Sequence, residues 1–119
     1  MNARPAAGAR PIAFRFGLTG RRWGEAGPAV LLLHTGDTLP SALAQLIEPL
    51  LASGHQVIAL DDPTDAASDP AARVSEYASA AQEAAIELRS LEAVAGHGLG
   101  AAAAAQALAN GLPAVRLAA

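Results

Sequence analysis

The chain has neither cysteine nor lysine. Without cysteine, disulfides, thiolate nucleophiles and cysteine-based zinc sites are excluded. Without lysine, the P-loop, the Schiff-base enzymes and lysine-dependent phosphoacceptor sites fall away, and every fixed positive charge is an arginine. Aromatic residues are scarce too, at 3% of 119 residues: Phe14, Phe16, Trp23 and Tyr77. Much of the 52% hydrophobic content is alanine, which buries little area per residue, so a thin core and marginal stability are expected. This length holds one domain at most. No apolar run is long enough to span a membrane, and no signal-peptide or transit-peptide pattern opens the chain. A soluble, cytoplasmic protein is expected.

Acid is missing from residues 1 to 24, which carry Arg4, Arg10, Arg15, Arg21 and Arg22, although the net charge is −3. A basic arm of this kind can contact nucleic acid or anionic lipid. No aromatic-basic interleaving follows it, so it reads as a leader over residues 1–9 followed by edge strands whose charges deter edge-to-edge pairing. Neither nucleic acid nor membrane is expected as a partner.

What the sequence does contain is an alternation of strand and helix patterns over residues 10–119. Pro11 to Gly17 reads as a strand, with Leu18 to Trp23 pairing back on it and a turn from Gly24 to Pro28. Ala29 to His34 is a continuous apolar run, as in a strand buried on both faces. Leu39, Leu43, Leu46, Ile47 and Leu50 recur at helical spacing, with Ser41 as the expected cap, a bend at Pro49 and a stop at Gly54. Val57 to Leu60 is the next buried strand. Asp69-Pro70 opens a second helix with a capping carboxylate and a proline at the first helical position. Its buried stripe is Val74, Ala78, Ala81, Ala85 and Leu88. Leu91 to Ala95 is a strand, Ala101 to Ala109 a helix closed by Gly111 and Pro113, and Ala114 to Leu117 a last short strand. Repeated β–α–β units with apolar strands predict a three-layer α/β/α domain with a mostly parallel sheet.

The stretch Gly96-His97-Gly98-Leu99-Gly100 joins the third buried strand to the alanine-rich helix. It has the layout of the nucleophile elbow, G-x-S-x-G, with Gly98 in the place of the serine. Such an elbow holds its central residue at positive φ, and the flanking glycines let strand and helix pass closely. Positive φ is therefore predicted at Gly98.

Three strand ends carry a family resemblance: His34 closes one strand, Asp61-x-Pro63 the next and G-x-G-x-G a third. In this order the chain resembles the N-terminal half of an α/β-hydrolase, from about Arg10 onward. The resemblance implies a serine hydrolase acting on ester bonds, with oxyanion-hole amides at Thr35 and Gly36 and at Leu99. It places His34, Asp37, Asp61 and Asp62 on loops lining the same site, beside Gly96, His97, Gly98 and Gly100 of the elbow. The departures bear directly on activity. The family's His-Gly is His34-Thr35 here, the glycines of its Asp-x-Pro-Gly loop are Thr64 and Ala66, and its nucleophile is Gly98. The family's acid and histidine follow the nucleophile in chain order, whereas no Asp, Glu or His follows Gly98 in this sequence. The expectation is a truncated, catalytically inactive relative acting at most as an interaction module, with no cofactor.

Other readings stay in view. A partner chain supplying the missing strands, acid and histidine would make the chain half of a split hydrolase. Gly96-x-Gly98-x-x-Ala101 also fits the dinucleotide fingerprint of a Rossmann-like module, but it stands in the last βα unit and lacks the acid about twenty residues on. His34, His55 and His97 share no short ligand spacing. The acids at 61, 62, 65 and 69 fit no EF-hand and read as turn and cap residues; no metal is expected. The edge from Ala114 to Leu117 is expected to lie open, with one face of the Leu91–Ala95 and Ala114–Leu117 strands bare. It would then seat a second copy or a partner chain.

Overall fold

The computed structural model describes residues 8–117. Most of the expected leader, residues 1–7, therefore lies outside the described residues, while Ala9 packs against one face of the sheet. The strands are β1 (Arg10–Ala13), β2 (Thr19–Trp23), β3 (Ala29–Leu33), β4 (Gln56–Leu60), β5 (Leu91–Gly96) and β6 (Val115–Arg116). The helices are α1 (Ser41–Ala52), α2 (Pro70–Glu87) and α3 (Leu99–Ala109). The sheet order is β1-β2-β4-β3-β5-β6. The β1–β2 and β2–β4 pairs are antiparallel, and the β4–β3, β3–β5 and β5–β6 pairs are parallel. Leu33 at the end of β3 pairs with Leu60 on one side and Gly96 on the other. The tips of three parallel strands thus lie side by side.

All five residues of β3 are buried, as its unbroken apolar run requires. Alternation along β3, β4 and β5 divides the core in two. Leu31, Leu33, Ile58, Leu60 and Val94 pack with Tyr77, Ala78, Ala81 and Ala84 of α2 and with Ala103, Ala104 and Ala107 of α3. Val30, Leu32, Val57, Ala59, Ala93 and Ala95 face the other way, onto Leu43 and Ile47 of α1. This is the predicted three-layer α/β/α arrangement. Ala93, Val94 and Ala95 are at most 3% exposed, so the expected bare face on β5 is not present. Alanines let α3 and the chain around Leu117 close over that strand from both sides.

Four local expectations need correction. The first strand stops at Ala13 instead of Gly17, and a 3-10 turn at Arg15–Gly17 follows. Phe16 and Gly17 both take positive φ, which ends the extension and lets the Phe14 amide close on the Leu18 carbonyl at 2.8 Å. Ser41 is the first helical residue, not the cap. Pro40 holds the cap position, its φ fixed by the ring, and its carbonyl accepts from the Leu43 and Ala44 amides. The last helix begins at Leu99, directly after the turn, instead of at Ala101. The last strand shortens to Val115–Arg116 because the Ala114 amide is taken into a turn by the Leu112 carbonyl. The second helix starts as predicted, with Asp69 accepting from the Ala72 amide. No described helix is long and apolar enough to cross a membrane.

Candidate functional site

The residue between β5 and α3 is Gly98, at φ 60°, ψ −128°. L-residues avoid this region because Cβ crowds the backbone there. The positive φ predicted from the G-x-G-x-G pattern is therefore observed. A Cβ on Gly98 would meet nothing within 4 Å, so a side chain here would project into open space. The flanking glycines have the opposite surroundings. A Cβ on Gly96 would land on the Gly100 carbonyl, and one on Gly100 would land on the Leu33 carbonyl and crowd the His34 amide. The N-terminus of α3 thus rests directly on the tip of β3, at a distance only glycine permits.

This contact brings the two halves of the candidate site together. The His97 amide donates to the Leu33 carbonyl at 3.1 Å, so the Gly98 turn lies beside the His34-Thr35-Gly36 loop. Leu99 is the first residue of α3, and its amide finds no acceptor among the described residues. Helix N-termini leave such amides pointing outward with the positive end of the dipole behind them.

On the other side of His34, a cleft of about 450 Å³ is lined by Gly36, Asp37, Asp61, Asp62, Thr64, Ala66 and Arg73. Four of the predicted loop residues meet there. Thr35, His34 and the residues of the Gly98 turn do not line it. Asp62 and Asp65 hold turns as expected, whereas Asp61 is tied to the neighbouring strand β2. Asp61 accepts from the Thr19 hydroxyl at 2.8 Å, Asp62 from the Thr64 amide at 2.8 Å, and Asp65 from the Ala67 amide at 2.9 Å.

Two organising residues escaped the sequence reading. Arg73 donates to Asp62 at 2.7 Å and to the Thr64 hydroxyl at 2.9 Å, both half-buried, and so fixes the floor of the cleft. The available signal was a cation in the first turn of a helix, against the dipole, with acids just upstream. Tyr77 is fully buried. Its hydroxyl accepts from the His34 amide at 3.0 Å and faces the His34 carbonyl at 3.1 Å and the Leu60 carbonyl more closely. It bridges β3 and β4 at the point where their ladder ends. Burial raises the phenol's pKa, so it remains a donor.

The three histidines occupy different settings. His34 is 2% exposed, its Nδ1 lies 3.2 Å from the Thr35 carbonyl, and its buried Nε2 has no partner among the described residues. Burial lowers its pKa, against an opposing pull from that carbonyl, which favours the neutral ring. His97 flanks Gly98. His55 precedes β4, at the opposite ends of the strands, about five residues or 16 Å away along the sheet.

No protein-family model matches the chain. No curated protein matches it either. Among solved structures it is similar to an epoxide hydrolase from an endophytic Streptomyces, at 21% identity and a TM-score of 0.57. The match covers 86% of this chain and 33% of that one, so the chain spans about a third of the length of that structure. At this identity the likeness establishes the fold, which is α/β-hydrolase-like over the matched residues.

Proposed function

We propose that this chain is a hydrolase-like scaffold with no nucleophile at its strand-to-helix turn, acting as an interaction module and not as an esterase at that turn. One observation carries the reading. Gly98 holds the strained backbone that presents a nucleophile, yet it has no side chain, and the space a side chain would occupy is open. The amides of Leu99, Thr35 and Gly36 then stand as the remains of an oxyanion hole. A serine also needs a base within hydrogen-bond reach. Here His34 is buried, His55 lies at the far end of the strands, and His97 only flanks the turn.

The test is turnover of p-nitrophenyl acetate by the parent chain, by Gly98→Ser and by Gly98→Ser/His97→Ala. The substitution at 98 is expected to add nothing to the parent rate. Added turnover that disappears with His97→Ala would contradict the proposal, since a neighbouring histidine would then be serving as base.

A second reading is favoured by the far edge of the sheet. Among the described residues β6 pairs on one side only, and Val115 is 62% exposed. Beside it an apolar cleft of about 250 Å³ is lined by Ala85, Ile86, Leu112 and Pro113, with Ile86 75% exposed. Under this reading a second copy or a partner chain extends the sheet through the edge at 114–117. A partner supplying catalytic groups would make the assembly a split hydrolase.

A further inference from the structure

At the end of the sheet opposite Gly98, three side chains form a relay that the reading above leaves unused. α1 ends at Ala52, and Gly54, at φ +89°, turns the chain back toward β4. The turn sets His55 beside Ser53, with Ser53 Oγ 3.1 Å from His55 Nδ1. The other ring nitrogen, Nε2, lies 2.6 Å from Glu92 Oε1 at the start of β5, reaching across the start of β3. A ring nitrogen and a carboxylate oxygen approach so closely only with a proton between them, so Nε2 carries hydrogen and donates to Glu92. In the neutral ring this leaves Nδ1 bare and facing the serine hydroxyl. The hydroxyl's single proton then has two acceptors, His55 Nδ1 and the Leu50 carbonyl at 3.0 Å.

We infer that Ser53, His55 and Glu92 form a nucleophilic site that takes an acyl or phosphonyl group from small activated electrophiles. Ser53 is the nucleophile, His55 the base, and Glu92 the positioning residue that fixes the ring's tautomer. The Ser53 oxygen bonds to the carbonyl carbon or phosphorus while its proton passes to Nδ1. The bond to the leaving group breaks, and the leaving group departs with that proton. Water then bonds to the acyl carbon as its proton passes to Nδ1, the bond to Ser53 Oγ breaks, the acid departs, and Nδ1 returns the proton to the Ser53 oxygen.

The surroundings set the substrate class. Ser53 is exposed, so an electrophile reaches it without any loop moving. The amides of Ser53, Gly54 and His55 are all bonded to α1 carbonyls, so none of the three is free to receive a developing oxyanion. A missing oxyanion donor costs about 10²–10³ in rate. The site therefore selects aryl esters and fluorophosphonates, whose leaving groups need little help, over amides and alkyl esters. The Glu92 carboxylate disfavours anionic substrates.

The experiment is labelling of the full chain with a biotinylated fluorophosphonate, followed by intact-mass measurement and peptide mapping. One adduct per chain is expected, on Ser53. Ser53→Ala abolishes it, and His55→Gln slows it about 100-fold. Glu92→Gln slows it less, and Glu92→Asp restores the rate, which a purely structural role would not require. The proposal is overturned by absence of an adduct on the parent chain, by an adduct on another serine, or by undiminished labelling of His55→Gln. The parent-chain adduct decides the question even if a variant folds poorly.

Discussion

Replacing Tyr77 with phenylalanine keeps the ring in the core and removes one oxygen. That oxygen accepts from the buried His34 amide and donates to one of two carbonyls, those of Leu60 and His34. Two hydrogen bonds are lost, each worth about 0.5–1.5 kcal/mol net. The His34 amide also loses its partner in a buried site, a desolvation penalty of about 1–3 kcal/mol that overlaps with the first term. The expected loss is about 2–3 kcal/mol, a large fraction of the stability of a small domain. Urea denaturation of the parent and Tyr77→Phe reads it directly as a lower midpoint at unchanged slope. Amide exchange supplies a local check, since the His34 amide should lose protection more than the interior amides of β3 do. A stability change below about 0.5 kcal/mol, with the His34 amide still protected, would refute the view that Tyr77 ties the tips of β3 and β4 together.

Other outcomes follow from the same geometry. Gly98→Ala and Gly98→Val meet no steric obstacle and should cost only the positive-φ strain, about 1–3 kcal/mol with valine at the upper end. Gly100→Ala forces a methyl onto the Leu33 carbonyl and should be worse than either, so denaturation showing Gly100→Ala milder than Gly98→Ala would contradict the packing described. The lowered pKa of His34 means that the unfolded chain binds its proton more readily than the native chain does. Its contribution is complete above the ordinary value of 6.5 and is lost as pH falls through the depressed native value. Relative to His34→Gln, the parent should lose stability on acidification below about pH 6.5, and parallel pH profiles would exclude this. Sedimentation velocity should show concentration-dependent self-association that Val115→Asp weakens; a parent chain that remains monomeric at high concentration would leave only a foreign partner for the edge.

Features governed by local chemistry were legible in the sequence. An unbroken apolar run fixes β3 as a strand buried on both faces, Asp69-Pro70 marks a capped helix start, and G-x-G-x-G dictates positive φ at Gly98. Features decided by long-range geometry were not. Phe16 takes a left-handed conformation because the hairpin must close around it, which no strand pattern encodes. Tyr77 reads as one more core residue on an alanine stripe until the tips of β3 and β4 are seen to end beneath its hydroxyl. Ser53 and His55 are neighbours in sequence, but Glu92 is 37 residues away from His55 and joins it only through the sheet order. The fold resemblance, carried by three strand-end motifs, agrees with the structural likeness to the epoxide hydrolase, whereas the chemistry of the site rests on contacts the motifs do not specify.

On the function proposed here, the turn at Gly98 keeps the form of a nucleophile site while lacking the groups that would make a serine there reactive. Gly98→Ser restores the side chain in open space, so the most direct measurement is peptide mapping of that variant after fluorophosphonate treatment. No adduct is expected at position 98, whatever labelling occurs elsewhere on the chain. A stoichiometric adduct at position 98, at whatever rate it forms, would overturn this reading.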